Sequence, residues 1–329
     1  MLTPLVVTFL LSAVLCGAYL QFARRWQILD KPNDRSSHHR PTPKGGGVPL
    51  LLAFAVGSVM AFQYQLVSAV EYKVLLSSTV FLMVLGALDD VWALSVRLRF
   101  LLYGICALMV AAVLLREQVE LISPAGITTL LLTAFAILWT LNLYNFMDGT
   151  DGLAATQCFI ACSAAAVLTW DSGGPIEYTL FCLLLAFSHL GFLIWNWPPA
   201  KLFMGDAGSV PSGFLLAALA VQGAVHGDLV AGCWLVLLAV FITDASWTLV
   251  WRIITGQHFM EAHRQHAYQR LSRYWDSHRA VALLLLAINV FWLFPLAWAI
   301  QVWPDSTILL VILAYIPLLM GMAKIQKLT

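Results

Sequence analysis

The chain has 329 residues, 61% of them hydrophobic and 11% charged, with a formal net charge of +1. A soluble domain carries about 25% charged residues, so this composition excludes an ordinary soluble protein, and a balance so close to neutral excludes a nucleic-acid binder. Apolar stretches of about 18 residues or more recur along the chain, each long enough to cross a bilayer core of about 30 Å; they are apolar all round, which excludes the alternating pattern of a membrane β-barrel.

The sequence predicts an all-α polytopic membrane protein with eleven transmembrane helices, at about 3–22, 47–65, 72–88, 99–115, 127–145, 153–170, 178–195, 208–225, 229–251, 280–301 and 305–322, in one integral membrane domain over 1–329. The first span has no basic stretch before it and no small-residue cleavage pattern after it, so it reads as a retained helix and not as a signal peptide. Lys and Arg collect on the inner side of a membrane protein. With the N-terminus outside (periplasmic) and the C-terminus inside (cytoplasmic), sixteen of the 18 Lys and Arg residues fall inside, and Lys73 and Arg116 outside. This topology puts segments 23–46, 89–98, 146–152, 196–207 and 252–279 on the cytoplasmic face and leaves the outer loops short. The six cysteines lie within spans without a CxxC pair and read as small apolar packing residues.

The polar residues of these inner segments come in chain order as follows. In 30–47, Pro32, Pro41 and Pro43 exclude a helix. Gly45, Gly46 and Gly47 there offer backbone N–H groups to an anion just before a span, with Lys44 beside them; a flexible basic anchor is the plainer reading. Asp89 and Asp90 close the third span. Adjacent carboxylates at a helix C-terminus repel each other and oppose the macrodipole, so they call for a cation or a shared proton, unless they are merely solvated. Asn142, Asn145, Asp148 and Asp151 follow at intervals of three, with Gly149 and Gly152 ending the helix and starting a turn. An unpaired amide inside a span is costly, so Asn142 and Asn145 are expected to bond Asp side chains, a ligand or a metal.

Asp206 follows Gly205 at the start of the eighth span, as an ordinary N-cap or as a ligand. Phe203 nearby stacks on a base or simply packs. In the last large loop, His263 and His266 share a helical face near Glu261, Arg264 and Arg270. The HExxH pattern of a zinc site is absent. A His and Arg group that grips a diphosphate fits better, because guanidinium pairs bidentately with phosphate; a basic interfacial helix is the alternative. Asp244 lies inside the ninth span, two turns before Arg252, with a functional and an orienting role equally open. Carboxylates are costly near lipid, and their gathering at one face points to a metal and phosphate site at a membrane surface.

Taken in order, Pro41 to Gly47, Leu88-Asp89-Asp90, Asn142 to Gly152, Pro199 to Ser209 and the late His loop resemble the polyprenyl-phosphate N-acetylhexosamine-1-phosphate transferases, the superfamily of bacterial MraY and WecA. The resemblance runs over residues 30–270. The late loop, with His263, Arg264, His266, Tyr268 and Arg270, lacks the His run followed by Glu of the peptidoglycan enzyme. It looks more like the WbpL-like branch that initiates O-antigen and other surface glycans.

The resemblance implies a Mg²⁺-dependent reaction, with Mn²⁺ as a substitute, on the cytoplasmic face of a bacterial inner membrane. Undecaprenyl phosphate attacks the β-phosphorus of a UDP-N-acetylhexosamine, giving undecaprenyl-diphospho-sugar and UMP. It implies Asp206 and Asn145 as metal ligands, and Asp89, with Asp90 beside it, as the base or the orienter of the lipid phosphate. Asp148 and Lys44 position phosphate oxygens; Asp151, Asn196 and Phe203 receive the uridine; His263, Arg264 and His266 meet the sugar or diphosphate. Phosphoryl transfer chiefly needs positioning and charge neutralisation, which these residue types supply. The donor sugar, the lipid length and the choice between monomer and homodimer stay open.

Three other readings compete. The peptidoglycan reaction needs a larger, peptide-bearing donor. A transporter or flippase needs ionisable groups near the bilayer midplane, where only Asp244 and His189 stand out. A non-catalytic scaffold does not need the acids at all.

Overall fold

A computed structural model describes residues 2–32, 40–67, 69–257 and 263–328. Asp34, Arg35 and Glu261 of the two long inner loops lie outside the described residues. The helices are α1 (Leu2–Arg25), α2 (Gly47–Gln63), α3 (Val70–Trp92), α4 (Val96–Leu115), α5 (Pro124–Phe146), α6 (Leu153–Asp171), α7 (Ile176–Asn196), α8 (Asp206–His226), α9 (Ala231–Leu237), α10 (Ala239–Ile254), α11 (Ala267–Trp275), α12 (His278–Ile288), α13 (Phe294–Val302) and α14 (Thr307–Ile325). A π-helical turn over Asn289–Leu293 joins α12 to α13.

Among the described residues, nine helical spans are long and apolar enough to cross a membrane, with His278–Val302 counted as one, and the bent pair α9–α10 makes a tenth. At 17 residues, α2 is apolar but shorter. All eleven apolar regions expected from the sequence are helical, and the chain is a multi-pass α-helical membrane protein. The inner layer is α6, α7 and α8. About four-fifths of the most apolar stretch of α6 and α8 is buried (78% in each), against 11% for the last span. The α1 helix packs on α2 and α7, while α3 and α5 pack on α8. Inside this layer His189 Nε2 shares a hydrogen bond of 3.0 Å with Ser212 Oγ, joining α7 to α8.

The ninth span is not the single rod that 229–251 suggested. It breaks at Leu238, and α9 and α10 meet at 69°. Neither Gly nor Pro marks the break. In a bilayer each backbone group must find a partner within the protein. The break is met by Gln157, whose Nε2 donates to the Leu237 carbonyl at 2.8 Å, while Asn289 Nδ2 donates to Gln157 Oε1 at 3.2 Å. The device therefore sits on α6 and in the π-helical turn, remote in sequence from the helix it serves.

The segment before α2 is non-helical where described, as its prolines require, and it carries a short antiparallel pair, β1 (Leu29–Asp30) and β2 (Thr42–Pro43). The glycines after it do a different job from the expected one. The N–H groups of Gly46 and Gly47 donate to the carbonyls of Phe203 and Met204, each at 2.9 Å, so they are not open to an anion. A Cβ on Gly47 would stand 2.2 Å from the Gly208 Cα. The absent side chain lets the first turns of α2 and α8 touch backbone to backbone, which brings Lys44 to the start of α8.

Candidate active site

One end of the bundle collects the C-terminal ends of α3, α5 and α7 with the N-terminal ends of α2, α4, α6, α8 and α12. Asp89 and Asp90 stand in the last turn of α3. The helix ends in a left-handed cap at Ala93, and Leu94 N–H, just beyond it, donates to Asp89 Oδ1 at 2.7 Å. Asp89 Oδ2 takes a short contact from Arg99 Nη1. Asp90 faces the other way: Oδ1 is 3.5 Å from Lys44 Nζ, and Oδ2 accepts from Ala207 N–H at 3.3 Å. Thus Asp90 ties three elements together: α3, the loop before α2 and the start of α8.

Asp206 is the first residue of α8, after Gly205 at a left-handed φ of 71°. An acid in this position suits the positive end of the helix dipole. Its Oδ2 lies 3.3 Å from the same Arg99 Nη1. Asn145, in the last turn of α5, accepts from Ser209 Oγ at 2.6 Å. Asn142 turns its amide back to the Leu138 carbonyl at 2.7 Å. Among the described residues neither amide bonds an Asp side chain, contrary to one expectation: Asn142 turns to a backbone carbonyl one turn earlier and Asn145 meets a hydroxyl on α8.

Asp148 sits in the turn between α5 and α6. Burial, and after it the neighbouring charges of Asp206, Asp90 and Asp151, push its carboxyl well above the usual range. Asp151 has both oxygens engaged, Oδ2 by Ala200 N–H at 2.9 Å and Oδ1 by His278 Nδ1 at 3.1 Å. Asn196 is buried at the end of α7, with Oδ1 accepting from Gly152 N–H at 3.0 Å and Nδ2 donating to the Leu202 carbonyl at 2.9 Å. It staples the turn before α6 to the loop before α8.

The last loop is organised by Asp244, the acid left without a place. Its Oδ1 accepts from Ala267 N–H at 2.9 Å and faces His266 Nδ1 at 3.1 Å, and its Oδ2 accepts from Tyr268 N–H at 3.0 Å. Asp244 thus caps α11 from α10. Tyr268 then reaches the other acids' loop, its hydroxyl donating to the Phe146 carbonyl at 3.0 Å. His266 is buried in this arrangement, and its ring stands 5.0 Å from that of His263. Burial, together with His266 and Arg252, lowers the pKa of His263 to about 4, so its imidazole is neutral at pH 7.

Beside the acids lies a cavity of about 600 Å³ whose wall includes Asp151, Phe203, Arg264, Arg273 and Arg279. This is ample room for a small ligand, and the lining is basic and suited to an anion. Of the residues singled out in the sequence, Lys44, Asp89, Asp90, Asp148 and Asp206 form the acid cluster with Asn145 at its edge. Asp151, Phe203 and Arg264 line the cavity, and Asn196, Asp244 and His266 hold the frame. Sequence reasoning missed Arg99 and His278 as site residues. Arg99 had a signal: it lies in the first turn of α4, which holds no acid and where the dipole disfavours a cation.

The donor set fits a divalent cation of a particular kind. Asp89, Asp90 and Asp206 carry three negative charges when ionised, against one each on Lys44 and Arg99, and Asp148 adds a fourth when a cation displaces its proton. Among the described residues no three His, Cys, Asp or Glu side chains form a cage of their own. Mg²⁺ commonly uses one or two carboxylates and completes its shell with water and substrate phosphates.

A family model described as glycosyl transferase family 4 matches residues 72–224. A probable undecaprenyl-phosphate N-acetylglucosaminyl 1-phosphate transferase from Bacillus subtilis (strain 168) is 29% identical over 301 residues, covering 87% of this chain and 82% of that protein. A decaprenyl-phosphate N-acetylglucosaminephosphotransferase from Mycobacterium tuberculosis is 29% identical over 317 residues, covering 86% and 78%. A phospho-N-acetylmuramoyl-pentapeptide-transferase from Geobacillus sp. (strain WCH70) is 30% identical over 242 residues, covering 67% and 74%.

Proposed function

The chain belongs to glycosyl transferase family 4, and on that premise we propose that it transfers an N-acetylhexosamine 1-phosphate from a UDP-sugar to undecaprenyl phosphate. An oxygen of the lipid phosphate forms a bond to the donor's β-phosphorus. The bond from that phosphorus to the bridging oxygen breaks, and UMP leaves with the bridging oxygen. The observation that supports this best is the meeting of Asp89, Asp90, Asp148 and Asp206 with Lys44 and Arg99 beside a basic cavity.

In this reading Asp206 and Asn145 hold Mg²⁺, which supplies neutralisation of charge on the phosphate oxygens when bound. Lys44 stands where it can meet a phosphate oxygen while Asp90 holds its ammonium. Asp89, fixed by Leu94 N–H and Arg99, accepts the proton of the lipid phosphate or orients it. Asp148, with its raised pKa, is available to share a proton with a phosphate oxygen. Phe203 offers a ring face to the base, and Arg264 a guanidinium to the diphosphate or sugar. Asp151 receives the uridine while Asn196 and His278 position it, and His263 with His266 shapes the sugar end.

The sixteen-to-two distribution of Lys and Arg supports a cytoplasmic active face in a bacterial inner membrane. The late His loop supports a small-sugar donor for O-antigen or another surface glycan, with peptidoglycan lipid I synthesis as the competing reading. Purified protein given undecaprenyl phosphate, Mg²⁺ and a panel of UDP-N-acetylhexosamines, with UDP-N-acetylmuramoyl-pentapeptide as one arm, is expected to release UMP with a small-sugar donor. Release with the pentapeptide donor alone favours the competing reading, and no release from folded protein with any donor contradicts the enzyme assignment.

A further inference from the structure

One nitrogen, Arg99 Nη1, contacts carboxylates from two different helix ends: Asp89 Oδ2 at the close of α3 and Asp206 Oδ2 at the start of α8. The two acids are not held alike. Asp89 has a second anchor in Leu94 N–H and a side chain only 8% exposed. The side chain of Asp206 is 28% exposed, and among the described residues Arg99 is the cation it meets. Its contact with Arg99 is the longer of the two.

A guanidinium carries one charge, which cannot neutralise both carboxylates. It also sits in the first turn of α4, whose positive dipole end works against it. A divalent cation on Asp206 would face Arg99 across one carboxylate, and like charges that close repel strongly outside bulk water. The Arg side chain is long and flexible enough to move off, and α4 itself stays fixed by its Ser95 cap. We infer that Arg99 is a placeholder cation: it competes with the divalent metal for Asp206, leaves that carboxylate when the metal binds, and keeps its bond to Asp89. The acid cluster is thereby kept in place before the metal arrives, and metal loading frees Asp206 from the guanidinium while Arg99 stays on Asp89. This inference rests on the reading that Asp206 holds the metal.

Because ligands that compete are linked reciprocally, removing Arg99 strengthens metal binding. Mn²⁺ titration of purified protein without substrates, followed by the free-ion EPR signal, compares the wild type with Arg99→Gln and Lys44→Gln. Lys44→Gln also removes one positive charge from the cluster but acts at Asp90, so it measures the general charge effect. Arg99→Gln is expected to bind Mn²⁺ about tenfold more tightly than the wild type, and Lys44→Gln no more than about twofold. A second measurement on the wild type does not depend on a variant folding. Peptide-level mass spectrometry after phenylglyoxal treatment is expected to show Arg99 modified more readily with Mn²⁺ than without. Arg99→Gln affinity equal to or weaker than wild type, equal tightening by Lys44→Gln, or Arg99 labelling that Mn²⁺ leaves unchanged or lowers overturns the placeholder role. Mn²⁺ binding by none of the proteins overturns the metal reading as well.

Discussion

The carboxylate of Asp244 on α10 faces the His266 ring at 3.1 Å and at the same time accepts the N–H groups of the next two residues, Ala267 and Tyr268. One buried acid thus starts the helix that presses Tyr268 against the turn bearing Asp148. Replacing Asp244 by Ala leaves those donors unpaired, at a cost of about 2–4 kcal/mol. Thermal unfolding in detergent is expected to show that loss, with Asp244→Asn intermediate because it keeps one acceptor. Unchanged stability in Asp244→Ala contradicts the capping role.

Asp151 is fixed by two partners, Ala200 N–H and His278 Nδ1. Removing the imidazole leaves the carboxylate on the cavity wall with Ala200 N–H on Oδ2 but loses the contact on Oδ1, so it is held less tightly. His278→Gln is expected to raise KM for the UDP-sugar about five- to tenfold and to change kcat by less than about twofold, the pattern of lost binding common to ground and transition states. A fall in kcat with KM unchanged places His278 in the chemical step instead.

Two glycine replacements separate close packing from glycine content. Gly47 has no room for a Cβ against Gly208, whereas a Cβ on Gly104 within α4 meets nothing within 4 Å. Gly47→Ala is expected to destabilise by about 1–3 kcal/mol through overpacking. Gly104→Ala is expected to be neutral or stabilising by up to about 1 kcal/mol through helix propensity. Equal melting temperatures for the two variants contradict the close approach of α2 and α8.

Asp206→Asn keeps the size of the side chain and removes its charge. Turnover is expected to fall at least about a hundredfold, as when a group that stabilises developing charge is lost, with the melting temperature close to wild type. Chelation is expected to stop the wild-type enzyme, and Mg²⁺ or Mn²⁺ to restore it. Wild-type rates in Asp206→Asn remove that residue from the metal site.

Hydrophobic runs made the helical spans legible, because a lipid-facing helix must be apolar over its whole length. The acids at helix ends were legible for the converse reason: Asp89, Asp148 and Asp206 stand out against an apolar background. What escaped the sequence depends on partners far away in the chain. The break at Leu238 is relieved by Gln157 and Asn289, so nothing in 229–251 announces it. Asp244 reads as an intramembrane acid until α11 folds back onto it. The Gly45–Gly47 run resembled an anion cradle, and only the position of Met204 and Gly208 shows that it serves helix contact. Arg99 looked like one more inner-face cation; its place in the first turn of α4 was a hint, but its meaning lies in the pairing of α3 with α8.

In the proposed reaction the phosphorus, and not the sugar alone, moves to the lipid. A UDP-N-acetylhexosamine labelled with ³²P at the β-phosphate, incubated with undecaprenyl phosphate, Mg²⁺ and the purified protein, tests this directly. Label is expected in the organic-extractable lipid fraction, with unlabelled UMP in the aqueous one. Label retained in aqueous UDP while sugar enters the lipid contradicts it.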